Sequence, residues 1–168
     1  NTNWEDLAFN DDARSSQVEL NAQGGNDKTK FFISGSLQNQ DGILVGNEFK
    51  RMGMRFNIDH QVNNWLKIGL NASLNKTVRN RVPLDNAFST PMQIVALAPI
   101  TPVRDLNGAL YDRPVTTYYN PLIDFEEAKF KITGYRNQGN FFVESKIMKG
   151  LTLRNELGLD MVSQTEDR

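Results

Sequence analysis

Two runs of strict alternation between apolar and polar residues fill the segment 49–78, one on each side of Asn63-Asn64. Every second residue is apolar from Met52 to Ile58 and again from Leu66 to Leu74, with glycine, charged or polar residues between them. Because successive side chains on a strand point to opposite faces, each run predicts a ribbon with one apolar and one polar side. Asparagine favours turns because it tolerates positive φ at low cost. The segment therefore predicts a long antiparallel hairpin.

The same alternation recurs in four further segments of the chain. They are residues 16–23, 29–38, about 131–147 and 151–161. Phe32 and Phe142 break the pattern, because each falls among the polar residues of its segment. With the hairpin, these segments predict an all-β fold, an antiparallel up-and-down meander of about six strands.

Short and long connections alternate between the predicted strands. Residues 24–28, 62–64 and 148–150 form short turns, whereas 39–48 and 79–130 form longer loops. In an up-and-down meander alternate connections lie at the same end, so the short turns share one end and the long loops the other. Transmembrane β-barrels have this asymmetry, and their spanning strands are about 9–11 residues long. Soluble meanders also show it by chance, so this alternative stays open.

A short helix is predicted inside the long loop. Thr90 is a suitable cap, Pro91 suits the first helical position, and Gln93 stands three residues after the cap. The helix should run to about Ala98, because Pro99 then ends it.

Composition narrows the class of protein. The net charge of -1 lacks the basic bias of a nucleic-acid-binding protein, so no nucleic-acid partner is expected. The absence of cysteine excludes disulfides and thiolate metal sites. No apolar run reaches the ~20 residues of a membrane helix, although alternating barrel strands hide their apolar signal. The chain starts at Asn1 without an initiator methionine, which suggests an internal or processed piece.

Three stretches together resemble a known family. They are NTNWEDLAF, GGNDKTKFFISGSLQNQDGILVGNEFKRMGMRFNIDHQVNNWLKIGLNASLN and KIMKGLTLRNELGLD. They resemble the barrel of SusC/RagA-type TonB-dependent outer-membrane transporters of Bacteroidetes-like bacteria. The resemblance covers most of the chain and is strongest between Gly24 and Asn75.

The resemblance implies a large transmembrane β-barrel of 22 strands in the outer membrane of a Gram-negative bacterium. Such a barrel is filled by an N-terminal plug, capped by a SusD-like surface lipoprotein and embedded in outer-membrane lipid. It imports glycans or peptides with energy delivered through the TonB complex. Residues 1–168 would be a fragment of the barrel domain, with 79–130 as a long external loop. The plug and the segment that contacts TonB have no counterpart in these residues.

Seven charged residues share the polar parity of the predicted strands and are expected to line the lumen of the barrel. They are Arg51, Arg55, Asp59, Lys67, Arg154, Glu156 and Asp160. Barrel interiors are polar, whereas charge on the lipid face is penalised. The competing interpretation is the solvent face of an ordinary soluble sheet.

Four aromatic residues of the long loop are candidates for contact with substrate or with the capping lipoprotein. They are Phe88, Tyr111, Tyr118 and Tyr119. Aromatic faces suit sugar rings and protein surfaces, and loops on rigid scaffolds often carry function. The competing interpretation is that these rings pack against one another within the loop.

Nothing in the sequence favours catalysis or a cofactor. His60 is the only histidine, so histidine-based metal sites and Ser-His-Asp triads lack their parts. The carboxylate pairs Asp11-Asp12 and Glu126-Glu127 stand without a ligand pattern and are expected to be solvated. No enzyme, metal or cofactor is therefore expected. The alternative function is a soluble β-sandwich or small β-barrel that binds carbohydrate or lipid, with its apolar stripes facing the interior.

Overall fold

The structure is a computed structural model that describes residues 1–82, 92–113, 118–126 and 130–167. One six-stranded sheet dominates it, and every strand pairs with its sequence neighbours in antiparallel order. The strands are β1 (Ser15–Gly25), β2 (Thr29–Asp41), β3 (Glu48–Gln61), β4 (Leu66–Arg81), β5 (Phe130–Met148) and β6 (Leu151–Asp167). The predicted all-β, up-and-down meander is confirmed.

The central hairpin joins β3 to β4 in continuous register, from Glu48 opposite Asn80 to Gln61 opposite Lys67. At its turn, the Asn63 Oδ1 accepts hydrogen bonds from the backbone N–H of Trp65, at 3.0 Å, and of Leu66, at 2.9 Å. Among the described residues, only glycines have positive φ. The turn was predicted correctly but for the wrong reason, because the asparagine acts through its side-chain oxygen.

Long and short connections lie at opposite ends of the sheet, as predicted. Residues 26–28, 62–65 and 149–150 make the short turns, and 42–47 and 82–129 join the strands at the other end, the loop end. The long loop was predicted to run from 79 to 130. The structure places its first three residues in β4 and residue 130 in β5, because pairing between those strands continues to Arg81 opposite Phe130.

The described residues of the loop end form three short helices: α1 (Trp4–Ala8), α2 (Met92–Ala96) and α3 (Pro121–Glu126). The helix predicted in the long loop corresponds to α2, and its predicted start at Thr90 and Pro91 lies outside the described residues. Helix α3 begins where the Asn120 Oδ1 accepts a hydrogen bond from the Leu122 N–H at 3.1 Å. Within the described ranges, no helix is long and apolar enough to cross a membrane.

A small hydrophobic cluster, the loop core, joins these helices to the ends of the strands. Its buried members are Trp4, Ala8, Leu44, Val82, Ile94 and Leu97. The indole Nε1 of Trp4 donates a hydrogen bond to the Ala98 carbonyl at 3.3 Å, and the Asn10 N–H donates to the Ile43 carbonyl at 2.8 Å. The N-terminal segment therefore fastens both long connections together.

The sheet itself exposes its apolar side chains, which form the apolar stripe. Its members are Val18, Leu20, Phe31, Ile33, Leu37, Met52, Met54, Ile58, Leu70, Leu74, Phe141, Leu153, Leu157, Leu159 and Met161. Their exposed fractions range from 38% at Ile33 to 75% at Leu20. No helix or second sheet in the described part of the chain covers this stripe, so most of the buried apolar side chains lie in the loop core and few lie in the sheet.

Candidate functional site: the polar face and the loop end

The strand register brings seven predicted charged residues onto one face, opposite the apolar stripe. In one row, Arg55 pairs with Ser34 of β2 and with Ser73 of β4. The seven residues on this polar face are Arg51, Arg55, Asp59, Lys67, Arg154, Glu156 and Asp160. Their common face follows from the register. That this face borders a lumen stays a prediction.

Ion pairs cross the strands of the polar face. The Lys67 Nζ lies 2.9 Å from the Asp59 Oδ2. Arg136 of β5, which was not among the predicted lumen residues, donates two hydrogen bonds to the Asp160 carboxylate, at 2.8 and 3.2 Å. Gln138 donates a third to the same carboxylate at 3.1 Å. Opposite charges in neighbouring strands stabilise a sheet modestly. The alternation of polar and apolar residues in β5 is the sequence signal that predicts Arg136 on this face.

Phe142, which breaks the sequence pattern, is only 3% exposed although it lies on the polar face. Its ring covers Gly69, where an added Cβ would stand 2.1 Å from a ring carbon. The Arg154 guanidinium lies 3.9 Å from the ring centroid and the Lys67 ammonium 5.5 Å from it. A glycine makes room for the ring, and the two cations shield it from water.

Two arginines of the polar face, unlike the charges described above, form no ion pair among the described residues. Arg51 and Arg55 flank Gly53 along β3 and line a groove of about 260 Å³ with Ser34 and Gln38. Among the described residues, neither guanidinium has a hydrogen-bond or ion-pair partner. Both groups are therefore available to an acceptor from outside this sheet.

The loop aromatics separate into buried and accessible members. Tyr118 packs against the loop core, as the self-packing interpretation expects. Tyr111 and Tyr119 are 37% and 43% exposed, and the Arg113 guanidinium stacks 4.2 Å from the centroid of the Tyr119 ring. Phe88 lies outside the described residues. Contact between these rings and a substrate or partner stays a prediction.

The histidine and one of the paired carboxylates considered for chemistry form ordinary contacts with neighbouring side chains. The His60 Nδ1 and the Thr29 hydroxyl form a hydrogen bond at 2.7 Å between β3 and β2. Glu126 forms an ion pair with Arg104, and Glu127 lies outside the described residues. Across the ranges that the structure describes, no three histidine or carboxylate side chains are grouped to hold a metal ion.

Comparison with known proteins supports one family. No family model matches the chain. Over 82 residues, or 49% of its length, the chain is 29% identical to TonB-dependent receptor P3 of Formosa agariphila, and the match covers 8% of that protein. Among the proteins that match are this receptor and an importer, and neither name describes an enzyme.

Solved structures of the RagAB peptide importer match nearly the whole chain. The closed-closed state gives a TM-score of 0.75 at 24% identity, and the open-open state gives 0.73 at 24%. Each match covers 96% of this chain and 19% of the importer chain, so this chain spans about a fifth of that length. In fold and sequence together, the chain is similar to a segment of a SusC/RagA-type TonB-dependent transporter, and the resemblance identified from the sequence is confirmed.

Proposed function

We propose that this chain forms part of the wall and the external loops of a TonB-dependent outer-membrane importer. The observation that carries the proposal is the exposed apolar stripe, which stands opposite a polar face with cross-strand ion pairs. A sheet of this kind is stable where one face meets hydrocarbon and the other meets water. Both long connections lie at one end, where such barrels carry their extracellular loops.

The dimensions of the stripe suit a membrane. On β4 the apolar side chains of this face run from Leu66, next to the stripe, to Leu74, about 26 Å along the strand at roughly 3.3 Å per residue. With the usual tilt of about 40°, that length spans about 20 Å of membrane, close to the band of about 25 Å seen in outer-membrane barrels. Strand β6 continues the stripe from Leu153 to Met161. The strands therefore cross the membrane, and the short turns face the periplasm.

The transported substrate would pass along the polar face without covalent chemistry. The similarity to a peptide importer favours peptides, and glycans are the second substrate class. A SusD-like surface lipoprotein would cover the loop end, where Tyr111 and Tyr119 offer accessible rings. The TonB complex would engage parts of the full-length protein beyond these residues. Arg51 and Arg55 would meet acceptors inside the barrel, from the substrate or from the plug.

Membrane extraction tests the location of the full-length protein. We expect it to stay with outer membranes through high salt and urea and to be released only by detergent. Release by salt alone would contradict the proposal and would support a soluble β-sandwich or small barrel.

Uptake measurements test the activity. Cells that express the full-length protein should take up labelled peptides, and loss of TonB should abolish that uptake. Labelled oligosaccharides serve as the comparison, because uptake of sugars alone would move the substrate class from peptides to glycans. If cells take up peptides and oligosaccharides equally well with and without TonB, the proposed TonB-dependent import is wrong.

A further inference from the structure

A cleft of about 520 Å³ opens where the apolar stripe ends towards the loop end. One wall is the apolar side of the sheet, where Lys50, Val78 and Lys131 lie on β3, β4 and β5. The facing wall comes from the loops, through Val82 and Phe125. Because Lys50 lies two residues beyond Met52 on the same face, the cleft continues directly from the stripe.

The charges in the cleft are mainly positive. Lys50, Arg81 and Lys131 all line it. The Arg81 Nε is buried and has no hydrogen-bond partner among the described residues, which is costly for a charged donor. The Lys50 Nζ also forms an ion pair with the Glu48 Oε2 at 3.1 Å. Because both side chains are about half exposed, this ion pair is weak. An anion in the cleft would supply the missing acceptor.

Among the described residues, the Asp124 carboxyl group also lines the cleft. Burial raises the pKa of Asp124 above its ordinary value of 3.8, because the charged form loses hydration. The raised pKa reduces its repulsion of an anion as the pH falls. The other described residues of the lining are apolar or uncharged, so among them the three cations outnumber the single carboxyl group.

We propose that this cleft binds the phosphate group of a membrane lipid, whose acyl chains then lie along the apolar stripe. The proposal rests on the proposed function, which places the stripe in hydrocarbon. Lys50, Lys131 and Arg81 hold the phosphate oxygens, while Val78 and Phe125 contact the apolar part of the headgroup region. Free phosphate would leave the apolar walls without a contact. A phosphorylated lipid matches both the cations and the continuity with the stripe.

Native mass spectrometry of the detergent-solubilised full-length transporter tests the site. The probes are dipalmitoyl phosphatidic acid, dipalmitoylglycerol, which has the same chains without phosphate, and inorganic phosphate. The test variant is Lys50→Gln/Lys131→Gln. Its matched control is Lys28→Gln/Lys149→Gln, which removes two lysines at the short-turn end. We expect the test variant to lose about 30-fold in affinity for phosphatidic acid and the control to change less than about twofold.

Three results would overturn the proposal. The first is equal binding of phosphatidic acid and dipalmitoylglycerol, and the second is unchanged affinity in Lys50→Gln/Lys131→Gln. The third is phosphate binding as tight as that of phosphatidic acid, which would make the cleft a site for free anions. Heat-dependent migration on gels verifies folding, and Arg81→Gln is the substitute test if the double variant fails to fold. TonB-dependent uptake should persist in the variant, so failure of the lipid site leaves the importer untouched.

Discussion

Leu70 and Asn71 are adjacent on β4 but lie on opposite faces, which makes them a matched pair for testing the membrane orientation. Leu70 is exposed near the middle of the apolar stripe, between Ile58 of β3 and Phe141 of β5. Asn71 lies on the polar face beside two other asparagines. The perturbation is the same in both cases, a single arginine: Leu70→Arg or Asn71→Arg.

The two substitutions should lower the free energy of unfolding by different amounts, because Leu70 faces lipid and Asn71 faces water in the proposed orientation. An arginine on the lipid face near the middle of the membrane costs about 2–4 kcal/mol, which lowers the folded-to-unfolded ratio roughly 30- to 1000-fold. At Asn71 the guanidinium would remain in water, and the expected change is within about 0.5 kcal/mol. If the stripe instead faced water, both substitutions would be tolerated about equally.

Folding of the full-length protein into lipid vesicles measures this difference. Urea titrations, followed by the gel shift between folded and unfolded barrel, give the free energy of unfolding of each variant. We expect Leu70→Arg to unfold at a clearly lower urea concentration than Asn71→Arg. Equal midpoints, or a lower midpoint for Asn71→Arg, would refute the assignment of the faces.

Three further outcomes follow from particular contacts. Gly69→Ala should lower the urea midpoint because its Cβ would overlap the ring above it, while Gly35→Ala, with no atom within 4 Å, should leave the midpoint unchanged. Tyr119→Ala should weaken substrate capture in binding assays, whereas Leu106→Ala, in an exposed turn of the same loop, should not; equal affinities would remove the ring from the contact surface. Burial raises the Asp124 pKa, so the folded loop binds the proton more tightly than the unfolded loop and gains stability as pH falls towards 3.8, where the gain levels off. Asp124→Asn should abolish that pH dependence in hydrogen-exchange measurements of α3, and a dependence retained in the variant would assign it to another group.

The strands were predictable because alternation reports directly on which face a side chain occupies. The hairpin of β3 and β4, the short turns and the common face of the charged residues all follow from this period of two. Phe142 was not predictable from its own segment. Its place on the polar face makes sense only with Gly69 opposite it, and that register is a property of two strands separated by the long loop.

The loop end was less predictable because its order comes from contacts between distant segments. Helix α1 has only five residues and no side-chain cap, so it leaves little local signal. Helix α3 did carry a recognisable start, in which Asn120 caps and Pro121 takes the first helical position. The burial of Tyr118 likewise depends on the loop core, whose members come from the N-terminal segment and both long connections.

The hydrogen bonds of the N-terminal segment have a mechanical consequence for the loop end of the sheet. The Val45 N–H donates a hydrogen bond to the Ala8 carbonyl at 3.0 Å, and the Thr2 N–H donates one to the Pro99 carbonyl at 2.6 Å. The N-terminal segment therefore links the two long connections to each other. Neither connection can move away alone without breaking these hydrogen bonds and exposing the Trp4 indole to water. We therefore expect the described parts of the two connections to move together, and the fluorescence of Trp4, measured with Trp65 replaced by Phe, to report whether these contacts persist.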